Sequence, residues 1–225
     1  MNMKNVVSFS GGKDSTAMLL MMIERNIQID KIICVDTTKE FPQMYEHIKK
    51  VKAMISPLKI DIVKIDFDYY FCEHIKTRGR IGECGYGWPN MLNRWCTALK
   101  RQAIKKLKCK NDVNYHGIAF DEKHRTLKNK TGEIIKYPLV EWEITEKQAL
   151  DYCYNKGLDW GGLYEKFHRV SCWCCPLSRI GELRVLYNDF PEIWKKLEEM
   201  DKKTFRQFRK DYSVQGLKDK FDNEH

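Results

Sequence analysis

Ser8-Phe-Ser-Gly-Gly-Lys-Asp-Ser15 follows a short apolar run and precedes a helical stretch, Thr16–Glu24. A strand, a glycine turn and a helix start in this order form a cradle for anions, because the first N–H groups of a helix have no intrahelical partner and its dipole favours phosphate. Gly11 and Gly12 allow the backbone to approach a ligand closely. The stretch lacks the spacing of a Walker A loop or of a GxGxxG motif. The alternative interpretation is an ordinary glycine turn before a helix.

This octet resembles the SGGxDS pyrophosphate loop of the adenine-nucleotide alpha-hydrolase superfamily, which includes ATP pyrophosphatases, tRNA thiolases and the PAPS reductases. The resemblance implies binding of an adenine nucleotide, ATP or another, together with Mg²⁺. It implies that Lys13 and Asp14 act in catalysis. The residues that it assigns to the nucleotide phosphates are Ser8, Ser10, Gly11, Gly12, Lys13, Asp14 and Ser15.

The hydrophobic pattern of the first half of the chain alternates between strands and helices. It predicts strands at 4–9, 31–36, 60–65 and 113–118, and helices at 14–25, 40–55 and 95–108. Strands separated by helices favour a parallel sheet covered on both faces. The sequence therefore predicts an α/β fold with a doubly wound parallel sheet, with ligands beyond the carboxyl ends of the strands.

The rest of the chain predicts two loops and a helical region. Residues 66–93 are glycine-rich and irregular, and residues 119–137 are polar and basic, which predicts a second, flexible loop. From residue 145 the pattern is helical, with an interruption by cysteines at 168–178. We predict a nucleotide-binding α/β domain at 1–143 and a helical C-terminal region at 144–225 that carries the cysteine cluster.

Polar residues follow the predicted strand at 31–36. Val35–Pro42 resembles the DTxxxFPET segment of the PAPS reductase family, which implies that Asp36 and Thr37 contact the nucleotide. The alternative is a helix cap formed by Thr37 or Thr38. Capping and ligand contact do not exclude each other.

A further segment, Gly117–Arg125, resembles the GxRxDExxxR loop of the same family. The resemblance implies nucleotide contacts by Asp121 and Arg125, with His124 as a further candidate, and it makes Arg125 the third catalytic residue. Arginine can hold phosphate oxygens with two parallel hydrogen bonds. Ala119 stands where the family has arginine, so one phosphate contact of the family is missing.

The cysteine pattern indicates a metal or redox centre. Nine cysteines occur without the regular spacing of a secreted scaffold, and clustered thiols inside cells more often bind metal or perform redox chemistry. Cys172-Trp-Cys-Cys175 contains a CxxC pair, and Cys96 lies near a predicted helix start among basic residues, a setting that favours thiolate.

These cysteines resemble the iron–sulfur branch of the family, the APS-reductase type. That resemblance implies a [4Fe–4S] cluster on Cys96, Cys172 and Cys175 with Cys174 as the fourth ligand, and a cluster with three protein ligands and an open iron is the alternative. Two alternatives remain open from the residues: structural zinc with His168 as a nitrogen ligand, and unmetallated thiols or a redox dithiol.

Composition suits anionic partners. The chain has 225 residues and a net charge of +9, from 40 basic and 31 acidic residues. Such a balance fits nucleotides or nucleic acid, although excess surface lysine is an equally good explanation. No apolar run approaches the ~20 residues of a membrane span, so we expect a cytoplasmic protein without a membrane partner. A homo-oligomer is left open.

The expected activity follows from one difference between this sequence and the sulfonucleotide reductases that it resembles. Sulfonucleotide reductases attack sulfur with a cysteine in a C-terminal ECGLH segment, and this sequence has no cysteine after Cys175. We therefore expect an ATP-pyrophosphatase-type sulfurtransferase, in which an acceptor attacks the α-phosphate of ATP and receives sulfur with the help of the iron–sulfur cluster. The acceptor is unknown, and nucleic acid is a candidate. The alternatives are an APS or PAPS reductase that uses an external thiol, and a non-catalytic nucleotide-binding subunit of a nucleic-acid complex.

Overall fold

The computed structural model describes residues 3–76, 82–128 and 132–224. Contacts within the chain divide it into two compact units. The sheet unit comprises Met1–Asp36, Pro42–Lys64 and Lys100–Leu163. The cysteine unit comprises Thr37–Phe41, Ile65–Leu99 and Tyr164–His225. Neither unit is continuous in sequence, and the predicted division between residues 143 and 144 stays a prediction.

The sheet unit contains a five-stranded sheet of order β3-β2-β1-β4-β5, in which every pairing is parallel. The chain leaves the central strand β1 towards β2 and β3 on one side and returns to β4 and β5 on the other. The switch point therefore lies at the carboxyl ends of β1 and β4, where doubly wound sheets bind ligands. The strands are β1 (Asn5–Ser8), β2 (Lys31–Asp36), β3 (Ile60–Lys64), β4 (Val113–His116) and β5 (Ile134–Lys136).

Helices flank this sheet. The first is buried along most of its length, from Lys13 to Met22, and it packs against α4 and α5. Thr145 starts α5 with a capping box that includes Gln148, an arrangement that satisfies free N–H groups at the helix start. The α-helices are α1 (Lys13–Glu24), α2 (Pro42–Met54), α3 (Trp95–Lys106), α4 (Pro138–Glu141), α5 (Glu146–Asn155), α6 (Leu163–Lys166), α7 (Ile180–Asp189), α8 (Pro191–Asp201) and α9 (Val214–Asp222).

The cysteine unit has its own aromatic core. Trp88 is fully buried, and its ring meets Phe71 at 4.6 Å and Phe208 at 4.9 Å between centroids. Its indole N–H donates to Asp201 Oδ1 at 2.7 Å, so the polar edge of the ring is also satisfied. Phe71 belongs to a turn of π-helix, Tyr69–Glu73, and Asp201 ends α8, which packs against α7 and α9.

The predicted doubly wound parallel sheet is confirmed, and the predicted strands and helices agree with the observed ones to within about three residues at their ends. The prediction of a loop over 119–137 is wrong for most of its described residues. A 3₁₀ helix covers Phe120–Lys128, and Ile134–Lys136 pairs with β4 as the edge strand β5. Such a short strand has too little pattern to be recognised from its sequence. Residues 129–131 lie outside the described residues.

The predicted irregular stretch 66–93 contains the π-helical turn and an antiparallel bridge between Ile75 and Cys84. Residues 77–81 of this stretch lie outside the described residues. In the part of the chain that the structure describes, no helix is both long enough and apolar enough to span a membrane.

Candidate functional site

The glycine loop after β1 has a backbone that requires glycine. Gly11 has φ of +78°, a region that side chains with a Cβ disfavour. A Cβ at this position would lie 2.7 Å from the sulfur of Met44 and 3.3 Å from Ile48. The loop therefore packs closely against α2, and a larger residue at Gly11 would displace it.

Hydrogen bonds between the serines of the loop fix its shape. The hydroxyls of Ser10 and Ser15 lie 2.9 Å apart, and Ser15 donates to the carbonyl of Gly12 at 3.0 Å. The backbone N–H of Ser10 donates to the Ser15 hydroxyl at 3.2 Å. Gly12 is the N-cap of α1 and offers no side-chain cap. The start of a twelve-residue helix thus faces the loop without a capping side chain, which suits a phosphate group.

Two aromatic residues support the loop, one of them through a hydrogen bond to a loop carbonyl. The indole N–H of Trp160 donates to the carbonyl of Gly11 at 2.7 Å. His47 stacks on Trp160 with 4.2 Å between ring centroids, and its Nε2 lies 3.0 Å from the hydroxyl of Thr16. Burial lowers the pKa of His47 to about 4, so the ring is neutral near pH 7. Neither Trp160 nor His47 lies in a sequence motif that marks it as part of this site.

Lys13 lies among carboxylates at the start of α1. Its ammonium group is 2.9 Å from Asp14 and 2.7 Å from Glu146, and the residue is 7% exposed. Burial raises the pKa of Asp14, Lys13 lowers it, and the nearby Glu146 and Glu122 raise it further. The predicted catalytic pair Lys13 and Asp14 therefore lies in a strongly charged and partly buried environment.

Three of these carboxylates are close enough to bind one cation. Oxygen atoms of Asp14, Glu122 and Glu146 all lie within 4.8 Å of one another. A set of oxygen donors is what Mg²⁺ prefers, so the donors present fit the ion that accompanies nucleotide phosphates. Glu122 and Glu146 were missed by sequence reasoning. Glu122 lies inside the quoted loop motif, whereas Glu146 is 133 positions from Lys13 and carried no signal.

The other predicted residues of the 117–125 loop lie next to this carboxylate group. Asp121 accepts a hydrogen bond from the backbone N–H of Glu146 at 3.1 Å, and so anchors the start of α5. Arg125 forms an ion pair with Glu122, and its side chain is 42% exposed. His124 is exposed, and Ala119 is fully buried. The nucleotide contacts of Asp121 and Arg125 stay predictions.

Asp36 ends β2, and Thr37 begins the next segment of the cysteine unit. Asp36 is 8% exposed and accepts a hydrogen bond from the hydroxyl of Tyr45 at 3.0 Å. Thr37 places its hydroxyl 3.2 Å from the sulfur of Cys172 and donates to Glu40 at 3.3 Å. The contact between Thr37 and Cys172 was not predicted, because 135 residues separate them.

The Cys172–Cys175 segment is a tight turn, closed by a hydrogen bond of 3.1 Å from the N–H of Cys175 to the carbonyl of Cys172. The thiol of Cys172 lies 3.4 Å from a carboxylate oxygen of Glu40. The backbone N–H of the adjacent Trp173 donates to the carbonyl of Lys39 at 3.0 Å. The turn is thus held in place by the Thr37–Phe41 segment of its own unit.

The four candidate cysteines differ in their surroundings. Burial raises the pKa of Cys175. The N–H of Leu177 and the hydroxyl of Ser178 donate to its sulfur and lower this pKa, whereas the nearby thiol of Cys96 raises it. Cys96, Cys172 and Cys175 are partly exposed, but Cys174 is 1% exposed and burial raises its pKa well above the ordinary value. Cys174 is therefore the least suited of the four to act as a thiolate.

The spacing of these sulfurs bears on which metal they fit. Within residues 3–76, 82–128 and 132–224, the carboxylates named above are the one group of three metal-binding side chains whose ligand atoms lie within 4.8 Å of one another. Tetrahedral zinc holds its sulfurs roughly 3.8 Å apart. No three of the four sulfurs meet that spacing, and His168 is exposed. The sulfurs as placed therefore do not form a ready tetrahedral zinc site, and the [4Fe–4S] cluster stays a prediction.

Comparisons with known proteins extend these observations. A curated relative, the uncharacterized protein MJ0066 of Methanocaldococcus jannaschii, is 26% identical over an alignment of 207 residues that covers 86% of this chain. The chain spans 40% of the length of that relative. Among solved structures, the U34-tRNA thiolase NcsA from Methanococcus maripaludis, with its [4Fe-4S] cluster, matches with a TM-score of 0.43 and 16% identity, over 89% of this chain and 71% of that one.

The sequence profile of the phosphoadenosine phosphosulfate reductase domain matches residues 4–178. This range begins one residue before β1 and ends just after the Cys172–Cys175 turn, so it includes both the glycine loop and the candidate cysteines. With most of its length matched, the chain belongs to the phosphoadenosine phosphosulfate reductase domain family.

Proposed function

We propose that this protein binds ATP at the Ser8–Ser15 loop and activates an acceptor for sulfur transfer. The observation that carries the proposal is the loop itself, which has a glycine-dependent backbone, bonded serines and an uncapped helix start. Its buried lysine adds a positive charge at the same place. Together these features suit a triphosphate better than a neutral ligand.

The proposed reaction has two steps. An oxygen of the acceptor attacks the α-phosphorus of ATP, and the bond to the β-phosphate oxygen breaks, which releases pyrophosphate and leaves an adenylated acceptor. A sulfur nucleophile then displaces AMP from the acceptor. Lys13 neutralises charge that develops on the phosphate oxygens, and Arg125 can hold further oxygens once Glu122 releases it. Asp14, Glu122 and Glu146 would hold Mg²⁺, which neutralises phosphate charge when bound.

The cysteine unit supplies the sulfur chemistry in this proposal. Cys96, Cys172 and Cys175 would hold a [4Fe–4S] cluster, which supplies a site for inorganic sulfide when bound. Donation from Leu177 and Ser178 stabilises negative charge on the sulfur of Cys175, as hydrogen bonds to cluster sulfurs do. Glu40 and Thr37 position the sulfur of Cys172.

Pyrophosphate release tests the proposal. Anaerobically purified protein is mixed with ATP, Mg²⁺, sulfide and candidate acceptors, and pyrophosphate and AMP are measured. We expect equal amounts of the two products, dependent on the acceptor. If an iron-loaded preparation neither binds nucleotide nor releases pyrophosphate, the proposal is refuted. Nucleotide binding without any turnover would instead favour a non-catalytic subunit.

A sulfonucleotide reductase is the second candidate, because the matching family is described by that activity. In that reaction a thiol attacks the sulfur of the sulfonucleotide, the nucleotide leaves, and a second thiol releases sulfite and forms a disulfide. Sulfite production from APS or PAPS with an external dithiol, together with no pyrophosphate release from ATP, would decide for this candidate.

A further inference from the structure

A cluster of five aromatic side chains lies in the cysteine unit just before Cys96, and the proposed reaction does not use it. We call it the aromatic array. Neighbouring ring centroids are 5.0 to 6.5 Å apart. Two of the rings, those of Tyr70 and Tyr86, are parallel to within 4°. The members of the array are Tyr69, Tyr70, His74, Tyr86 and Trp95.

The array is held rigidly by the backbone. Tyr86 donates its N–H to the carbonyl of Tyr70 at 2.9 Å. Gly85 has φ of +67°, and a Cβ there would lie 2.2 Å from a backbone oxygen of the facing π-helical turn. Trp95, at the base of the array, is 5% exposed. The rings are therefore preorganised, which limits the entropy lost when a ligand binds.

The rims of these rings carry hydrogen-bonding groups without partners. Within the described part of the chain, the hydroxyls of Tyr69, Tyr70 and Tyr86 and the ring nitrogens of His74 make no hydrogen bond, and none of them is buried. Tyr69 is 42% exposed. A surface with aromatic faces and unpaired donors and acceptors at its rim suits a planar polar ligand better than an apolar helix.

An ordered turn that precedes Trp95 of the array in the chain presents apolar side chains to solvent. The side-chain oxygen of Asn90 accepts from the N–H of Leu92 at 3.0 Å and from that of Asn93 at 2.8 Å. Leu92 is 100% exposed and Met91 is 68% exposed. Arg94 follows, and it is also exposed. Apolar side chains of this kind can separate stacked bases, and arginine pairs with backbone phosphates.

We propose that the aromatic array and the Leu92 turn bind an unpaired base of a single-stranded RNA. The rings stack on the base, Leu92 separates it from its neighbour, and Arg94 contacts a phosphate. Single-stranded RNA, rather than DNA, matches the unpaired hydroxyls, because its 2′-hydroxyl both donates and accepts hydrogen bonds. The further role of that base as the sulfur acceptor rests on the proposed function, whereas the binding does not.

Fluorescence anisotropy with a labelled uridine dodecamer, without ATP or iron, tests the binding. We expect the double variant Tyr70→Ala/Tyr86→Ala to bind at least about tenfold more weakly, as loss of base stacking does. Tyr70→Phe/Tyr86→Phe should lose less, because its rings remain. Leu92→Ser should also weaken binding, and it cannot unfold the protein by exposing a core residue. Tyr212→Ala, a half-exposed tyrosine outside the array, is the matched control.

Three results would overturn the proposal. Equal binding by Leu92→Ser, the double alanine variant and the control would exclude the array as the site. Equal affinity for the matching deoxyuridine dodecamer would refute the choice of RNA. A concentration-dependent dimer that Leu92→Ser abolishes would assign the surface to a second copy of this chain. Because the assay omits ATP and iron, its outcome is independent of pyrophosphate release.

Discussion

The Ser8–Ser15 loop of the sheet unit and the Cys172–Cys175 turn of the cysteine unit are both short turns held by hydrogen bonds, yet only the loop already has the geometry that its proposed ligand needs. In the loop, Ser10, Ser15 and Trp160 bond to neighbouring loop atoms, and the start of α1 faces the loop without a capping side chain. In the turn, the backbone is closed and Cys172 is held by Thr37 and Glu40, but the sulfurs are not gathered around one point.

This difference has a physical origin. Phosphate is bound by N–H groups that the backbone positions without help, so a loop can be finished before its ligand arrives. Thiolates repel one another and are gathered by the metal itself, which is why metal binding and local folding are coupled. Changes in the loop should therefore alter the stability of the metal-free protein, and changes in the turn should alter metal content.

The cysteines allow the largest effect to be measured. We expect Cys96→Ser, Cys172→Ser and Cys175→Ser each to remove nearly all iron, from roughly four atoms per chain. Cys174→Ser should keep most of it, because Cys174 is packed inside the protein and its raised pKa opposes thiolate formation. Iron and sulfide assays with electron paramagnetic resonance, after anaerobic reconstitution, provide the measurement.

Cys109→Ser is the matched control for these variants, since Cys109 is an exposed cysteine of the sheet unit. It should keep the full iron content. A Cys174→Ser protein as empty as the Cys96→Ser protein would contradict the prediction and indicate four cysteine ligands. Colourless protein that carries zinc would end the iron–sulfur interpretation.

Lys13 should give the next largest effect. Lys13→Ala removes the buried positive charge that the proposed reaction uses at the phosphates, and we expect pyrophosphate release to fall by about 100-fold to 1,000-fold. Lys49→Ala is the control, because Lys49 lies exposed on α2 and pairs only with Glu46 among the described residues. Circular dichroism checks that both variants fold. An unchanged rate in Lys13→Ala would place the reacting phosphate elsewhere.

A substitution at Gly11 tests whether the loop is preformed in the absence of a ligand. We expect Gly11→Ala to lower the free energy of unfolding of the metal-free protein by about 2–4 kcal/mol, from its positive φ and the close contact with Met44. Gly181→Ala is the control: Gly181 lies inside α7 with nothing near its Cβ position, so alanine should stabilise it by up to about 1 kcal/mol. Urea denaturation measures both. Equal stabilities would show that the loop is not preformed.

Much of the sheet could be predicted, because its information is local. The buried apolar runs before residues 9 and 37 and the glycine pair between them specify β1, the loop and β2, each to within a few residues of its observed bounds. The edge strand β5 could not be predicted, because three residues, of which Ile134 is 46% exposed, form a strand only through pairing with β4.

The residues of the candidate site also fall into a group that a local motif predicts and a group that it does not. Lys13 and Asp14 belong to the loop that the sequence displayed, whereas Glu146 and Trp160 come to the loop only when the chain folds back through α5 and the turn after it. Their side chains have no local pattern that marks them, since an acidic helix start and a tryptophan are common without any ligand. Tertiary contact, rather than motif, makes them part of the site.

His47 should give the smallest effect, seen as acid sensitivity of the sheet unit. Folded His47 stays neutral until about pH 4, whereas an unfolded histidine takes up a proton near 6.5. Its contribution is therefore complete above about pH 6.5 and is lost as the pH falls towards 4, which amounts to about 2 kcal/mol at pH 5. His47→Gln should flatten the fall in unfolding free energy between pH 7 and 5. His124→Gln, which changes an exposed histidine, should leave that slope unaltered. Parallel slopes in the wild type and His47→Gln would show that His47 is not protected from protonation beneath the loop.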